Sequence, residues 1–147
     1  MILVIFACCA LIALTTLMHY EVLRGLNVKL PSLRIPNRTK LLAVIFAAFA
    51  THILEIGLYG LVLFALVSFG GLGSLSGADG ATLLNCIYFS AETYSSLGFG
   101  DLIPTGPIRM LAGIEALNGL LLIGWSASYA YIAMERFWGS GTQDSES

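Results

Sequence analysis

The sequence predicts an all-α membrane protein: three transmembrane helices and, between the second and third, a short re-entrant helix that ends in a glycine-rich loop. Three observations lead there. The 147 residues are 57% hydrophobic and only 11% charged, with a mean hydropathy of +0.85, whereas soluble domains carry about 25% charged residues. The apolar residues fall into three runs, each about long enough at ~1.5 Å per residue to cross a ~30 Å hydrocarbon core. Between the last two runs, residues 81–101 hold a helix-like segment too short to span, followed by alternating glycines.

The first run, Met1 to Met18, predicts a helix over 1–20. No Lys or Arg precedes it and no small-x-small cleavage pattern follows before Glu21, so a retained helix is favoured over a signal peptide. Residues 21–40 then read as a linker holding Arg24, Lys29, Arg34, Arg38 and Lys40, five of the seven basic residues. Pro31 and Pro36 argue against one continuous helix there. The positive-inside bias places this linker in the cytoplasm, which puts the N-terminus outside, Asp79 and Asp101 on the outer side, and the C-terminus inside. Solvation explains the linker's charges; contact of the Arg24 to Lys40 stretch with anionic lipid head groups is the second reading.

The second helix, 41–69, is interrupted only by Thr51, His52 and Glu55. A Gly- and Ser-rich stretch over 70–80 suits an exposed outer loop. The third helix is expected over 107–137, with Thr105 and Gly106 as candidate caps, Pro107 in the first turn and Trp138 at the interface. The polar tail 138–147 is expected to be disordered and leaves no room for a regulatory domain. A net charge of −2 without a basic block excludes a nucleic-acid footprint. Cys8, Cys9 and Cys86 offer neither a disulfide framework nor a zinc spacing and read as small packing residues. No helix carries arginines at every third position, as a voltage sensor would. No nucleophile and base, phosphate loop or complete metal motif points to an enzyme or to a cofactor.

The re-entrant segment is the most informative. Residues 81–96 read as a short amphipathic helix, and the strip Ser96-Leu97-Gly98-Phe99-Gly100-Asp101 follows. Irregular backbone survives at membrane depth only when buried in protein or lining a water-filled path. Alternating glycines allow successive carbonyls to turn to one side, where they can replace the water around a cation. The side chains of Leu97 and Phe99 must then point away, into a supporting cuff. The negative end of the short helix's dipole favours a cation below the strip. The spacing alone therefore implies a cation path.

The strip is similar to the Thr-Val-Gly-Tyr-Gly-Asp filter of potassium channels. Tyr88-Phe89-Ser90-Ala91-Glu92-Thr93 also resembles the Trp-Trp-Ser-Val-Glu-Thr of simple bacterial two-helix channels. Residues 41–137 thus resemble the potassium-channel pore module: outer helix 41–69, outer loop 70–80, pore helix 81–96, filter 96–101 and inner helix 107–137. Glu115 to Gly119 and Trp125-Ser126 look like the inner helix of a bacterial ion-channel subfamily, here with an extra N-terminal helix. The resemblance implies passive, selective potassium conduction, with K+ held at Ser96, Leu97, Gly98 and Phe99 and Gly100 completing the filter. It also implies a homotetramer, since one loop cannot surround an ion and closed cyclic symmetry is the usual solution. It further implies that the carboxyls of Glu92 and Asp101 approach behind the filter, where sharing a proton is cheaper than two charges. Ser96 keeps the hydroxyl of the family's Thr, Leu97 is larger than Val, and Phe99 lacks the phenolic hydroxyl that can brace the filter. A weakly selective monovalent cation channel is therefore the alternative. A prokaryotic inner membrane is the expected location.

Two pairs of polar residues stand out inside the apolar runs. His52 and Glu55 share a face of the second helix, and Glu115 and Asn118 share a face of the third. Charges near the bilayer centre cost about 2.5 to 3.5 kcal/mol on insertion scales, so these side chains should face protein or water. The two pairs are expected to meet. Three roles fit them: a hydrogen-bonded lock between helices, a proton-sensitive gate at His52, or a metal site from His52, Glu55 and Glu115. The alternative to a channel is a non-conducting membrane protein linked to metal or protons through His52, Glu55 and Glu115, with the glycine strip as packing only. Gly119, with Gly124 behind it, fits either an inner-helix hinge or a close helix contact.

Overall fold

The structure, a computed structural model, describes residues 1–77 and 80–139. Asp79 and the tail beyond Gly139 lie outside the described residues. The elements in order are α1 (Ile2–Lys29), a single 3-10 turn (Leu30–Ser32), α2 (Asn37–Ser68), β1 (Ser74–Ser76), α3 (Leu83–Tyr94), β2 (Ile103–Thr105) and α4 (Ile108–Gly139). Three helices are long and apolar enough to cross a membrane: Ile2–Ser32, Asn37–Ser68 and Ile108–Trp138.

α1 runs nine residues past the expected end at position 20, so the segment 21–40 is helical at both ends. Nothing local stops it. Arg24 pairs with Glu21 one turn earlier at 3.2 Å, and Leu23 extends the buried stripe Val4, Cys8, Leu11, Thr15, His19. Pro31 ends the helix, since a ring at that position has no N–H to continue the ladder. Pro36 then caps α2, its carbonyl accepting from the backbone N–H of Thr39 at 2.9 Å and of Lys40 at 3.2 Å. The basic residues thus lie mostly on helix ends rather than on a free linker.

α3 is two residues shorter at each end than the expected 81–96. The Thr82 side chain accepts from the Asn85 N–H at 3.1 Å, fixing the start. Ser95 and Ser96 turn out of the helix at its end. Within the outer stretch, residues 74–76 form a strand, which a Gly- and Ser-rich loop does not suggest. β1 pairs antiparallel with β2, with Leu75 opposite Pro104, and the Ser74 and Thr105 hydroxyls meet at 2.7 Å. This ribbon ties the entry of the re-entrant segment to its exit, and Leu75 is buried beneath it.

The core forms where α1, α2, α3 and α4 converge, around Cys8, Tyr59, Leu63, Phe89, Tyr94 and Leu111. α1 packs against both α2 and α4, so it is an integral part of the subunit. A second, smaller cluster of Leu30, Val44, Ala133 and Phe137 closes the opposite end, where the Lys40 ammonium lies 5.4 Å over the Phe137 ring.

Candidate functional site

The strip begins where α3 releases it. The Glu92 carbonyl accepts from the backbone N–H of Leu97 at 2.8 Å and of Gly98 at 3.4 Å, while the Ser96 N–H donates to Thr93 O at 2.9 Å. These bonds satisfy the last carbonyls of the helix, which would otherwise be orphaned. They also fold the first residues of the strip back over the helix end. Beyond them the backbone alternates: φ is +56° at Ser96, +56° at Gly98 and +81° at Gly100, with Leu97 and Phe99 at negative φ between. In an extended strand successive carbonyls point to opposite sides. Alternation of handedness cancels that reversal and lets them share a side. Glycine adopts the left-handed region at little cost, while Ser96 does so against a penalty of about 1–2 kcal/mol. Leu97 and Phe99 are 62% and 67% exposed, so the described residues of this chain build no cuff around them.

Glu92 is buried, and its Oε1 has no hydrogen-bond partner among the described residues. Asp101 is exposed at the other end of the strip. Tyr88, one turn before Glu92, stands near both carboxyls. Its hydroxyl is held above the ordinary tyrosine range, first by hydrogen bonding to Glu92, then by lost solvent and the charge of Asp101. In the sequence Tyr88 enters only as the first residue of the stretch Tyr88 to Thr93, with no role assigned; its place one helical turn from Glu92 is the available signal.

The intramembrane polar residues take different partners from those expected. His52 and Glu55 do not bond to Glu115 and Asn118. Glu55, fully buried, is approached by His19 Nδ1 at 3.0 Å, by His52 Nδ1 at 3.0 Å and by the Tyr94 hydroxyl, which donates to it. Ser126 Oγ lies 3.0 Å from His19 Nε2 and 3.1 Å from His52 Nε2. These five residues make one cluster joining α1, α2, the end of α3, and α4. Glu115 instead meets the Ser90 hydroxyl, which also reaches the Ile56 carbonyl at 2.9 Å. Asn118 Nδ2 donates to Thr15 Oγ1 at 2.9 Å and to Tyr59 OH at 3.2 Å. The metal set His52, Glu55 and Glu115 is thereby corrected. Among the described residues, the group whose ligand atoms converge is His19, His52 and Glu55.

Residues 39–136, which hold the half-helix and the alternating strip, match a family model described as ion channel. The chain belongs to the ion channel family. A similar protein is the inward rectifier potassium channel Kirbac3.1 of Paramagnetospirillum magnetotacticum, 33% identical over 97 residues, or 65% of this chain and 33% of that relative. The chain thus spans about a third of the length of the curated relative it matches. No solved structure matches. The resemblance to the potassium-channel pore module stands, since the ion channel match takes in α2, the strip and α4 together.

Within this ion channel module, two glycines seat α3. A Cβ on Gly60 of α2 would lie 2.8 Å from the Ile87 Cα, and one on Gly119 of α4 would lie 2.1 Å from the Tyr94 carbonyl oxygen. Gly119 is therefore a close-contact residue in this conformation, whereas a Cβ on Gly124 would meet nothing within 4 Å. The face of α4 that carries Glu115 continues through Leu122 and Ser126, all buried inside the subunit. Its other face, with Leu117, Leu120 and Leu121, is exposed. α1 precedes the ion channel match, yet it supplies His19 and Thr15 to the polar contacts of α2 and α4.

Proposed function

We propose that this chain is the pore-forming subunit of a passive potassium-selective channel, four copies of which surround one conduction path. The observation that carries this reading is the alternation of positive φ at Ser96, Gly98 and Gly100 directly after the end of α3. Carbonyls turned to one side by that alternation suit a dehydrated monovalent cation, and the negative end of α3 adds to the attraction. The similarity to Kirbac3.1, an inward rectifier potassium channel, supports potassium as the ion. A homotetramer follows from the single strip per chain and from the exposure of Leu97 and Phe99, whose cuff must then come from neighbouring subunits. The exposed face of α4 would turn toward the axis and the neighbours. Positive charge at Arg24, Lys29, Arg34, Arg38 and Lys40 favours the cytoplasmic side for the α1–α2 connection, and with it an outside N-terminus in a bacterial inner membrane. The same residues would meet anionic lipid.

The test is ion flux through purified protein in liposomes, potassium against sodium, with Gly98→Ala beside the wild type. Potassium flux above sodium flux, abolished in the variant, is the expected result. Equal fluxes abolished by the variant would replace it with a weakly selective cation channel. Absence of flux for both ions at acid and neutral pH would count against conduction.

A further inference from the structure

Two histidines on different helices confront the same two partners in the same sense. His19 Nδ1 and His52 Nδ1 each lie 3.0 Å from one oxygen of Glu55. Their Nε2 atoms lie 3.0 and 3.1 Å from the single Ser126 hydroxyl. A hydroxyl has one hydrogen, so it can donate to only one of two ring nitrogens, and at least one Nε2 must donate to it. A neutral ring that donates through Nε2 turns its Nδ1 lone pair toward the Glu55 carboxylate. That arrangement of lone pairs asks for a cation among them.

We propose that His19 Nδ1, His52 Nδ1 and the Glu55 carboxylate form a site for one divalent transition-metal ion of the zinc class. One ligand atom from each of the three residues lies within 4.8 Å of the others. Zinc bonds to nitrogen and oxygen at about 2.0–2.2 Å, which sets tetrahedral neighbours about 3.4 Å apart; each Nδ1 stands 3.0 Å from a different oxygen of Glu55, so the carboxylate would offer both oxygens to the ion or turn one of them between the rings. Imidazole and carboxylate together suit zinc, copper or nickel rather than magnesium or calcium. The fourth position falls to the Tyr94 hydroxyl, 2.9 Å from His52 Nδ1, or to water. Ser126 holds both rings from behind, as outer partners of metal-bound histidines do. Glu55 and His19 are fully buried, but His52, Tyr94 and Ser126 also line an apolar cavity of about 610 Å³ between α2 and α4, which gives an entry path. A bound ion would fasten α1 to α2 beside Tyr94, two residues before the strip begins. The site does not depend on conduction.

The experiment uses tag-free, chelator-treated full chain in detergent, titrated with Co2+ and then Zn2+. One Co2+ per chain is expected, with the visible absorption of a four-coordinate nitrogen and oxygen site, displaced by Zn2+. His19→Gln and Glu55→Gln should weaken binding by at least about tenfold, and Ser126→Ala by about tenfold. Glu115→Gln should bind as the wild type does, because Glu115 is engaged with Ser90. X-ray absorption of the zinc-loaded wild type should show imidazole scattering and no sulfur, a readout that needs no variant to fold. No bound metal at micromolar concentration, sulfur ligation from Cys8, Cys9 or Cys86, or unchanged affinity in His19→Gln would overturn the proposal.

Discussion

Gly119 faces the backbone of Tyr94 so closely that a methyl group at position 119 would sit 2.1 Å from the Tyr94 carbonyl oxygen. The inner helix and the last turn of α3 therefore touch backbone to backbone, just where the strip starts. Neither side has a flexible side chain that can yield.

Gly119→Ala should accordingly push the end of α3 outward, at a cost of about 1–3 kcal/mol typical of overpacking. The measurable results are a lower thermal midpoint in detergent and reduced flux. Gly124→Ala, with open space around it, should change stability by no more than about 0.5 kcal/mol. Equal effects of the two substitutions would show that the contact with Tyr94 does not matter.

α1 is held to α4 by the Asn118 amide, which donates to Thr15 Oγ1 at 2.9 Å. A double-mutant cycle with Thr15→Val and Asn118→Leu should give a coupling near the ~0.6 kcal/mol average of such pairs in membrane helices. Additive losses would mean that the two residues act separately. The same cycle with Tyr59→Phe tests the second donor hydrogen, which reaches Tyr59 OH at 3.2 Å.

Glu92 holds the strip through its carbonyl, which any residue supplies, while its carboxyl stands beside Tyr88. Glu92→Ala should therefore fold and assemble, yet alter the rate at which flux decays during sustained conduction. Open probability and selectivity identical to the wild type would remove the carboxyl from any role in supporting the strip.

Cys86 on α3 is fully buried, and burial pushes its thiol above the ordinary range. The thiolate is the reactive form, so raising the pKa lowers its fraction at neutral pH. A thiol reagent should leave Cys86 unmodified in the folded protein at neutral pH and label it after denaturation, as read by mass spectrometry. Labelling of the native protein at the denatured rate would show that α3 opens freely from α2.

Much of this architecture was legible because its signals are local. Hydropathy over some twenty residues marked α1, α2 and α4, and the alternating Gly98 and Gly100 announced a backbone that turns its carbonyls to one side, while the positive φ of Ser96 came only from the structure. Helix ends were less legible, since nothing between Met18 and Pro31 forbids a helix and only packing of Leu23 shows that α1 continues. His19 was missed for a related reason. At the end of an apolar run, beside Tyr20 and Glu21, it looks like any residue at the membrane surface.

The sequence by itself determined that the chain is a membrane protein with three apolar helices and a strip suited to cations, because chain length, hydropathy and glycine conformation act residue by residue. Tertiary structure alone decided who meets whom in the polar interior. His19 finds Glu55 across 36 positions and Asn118 finds Thr15 across 103, since α1 settles against both α2 and α4. Buried polar groups must pair, but the choice of partner follows from which helix faces touch, and no local pattern encodes that.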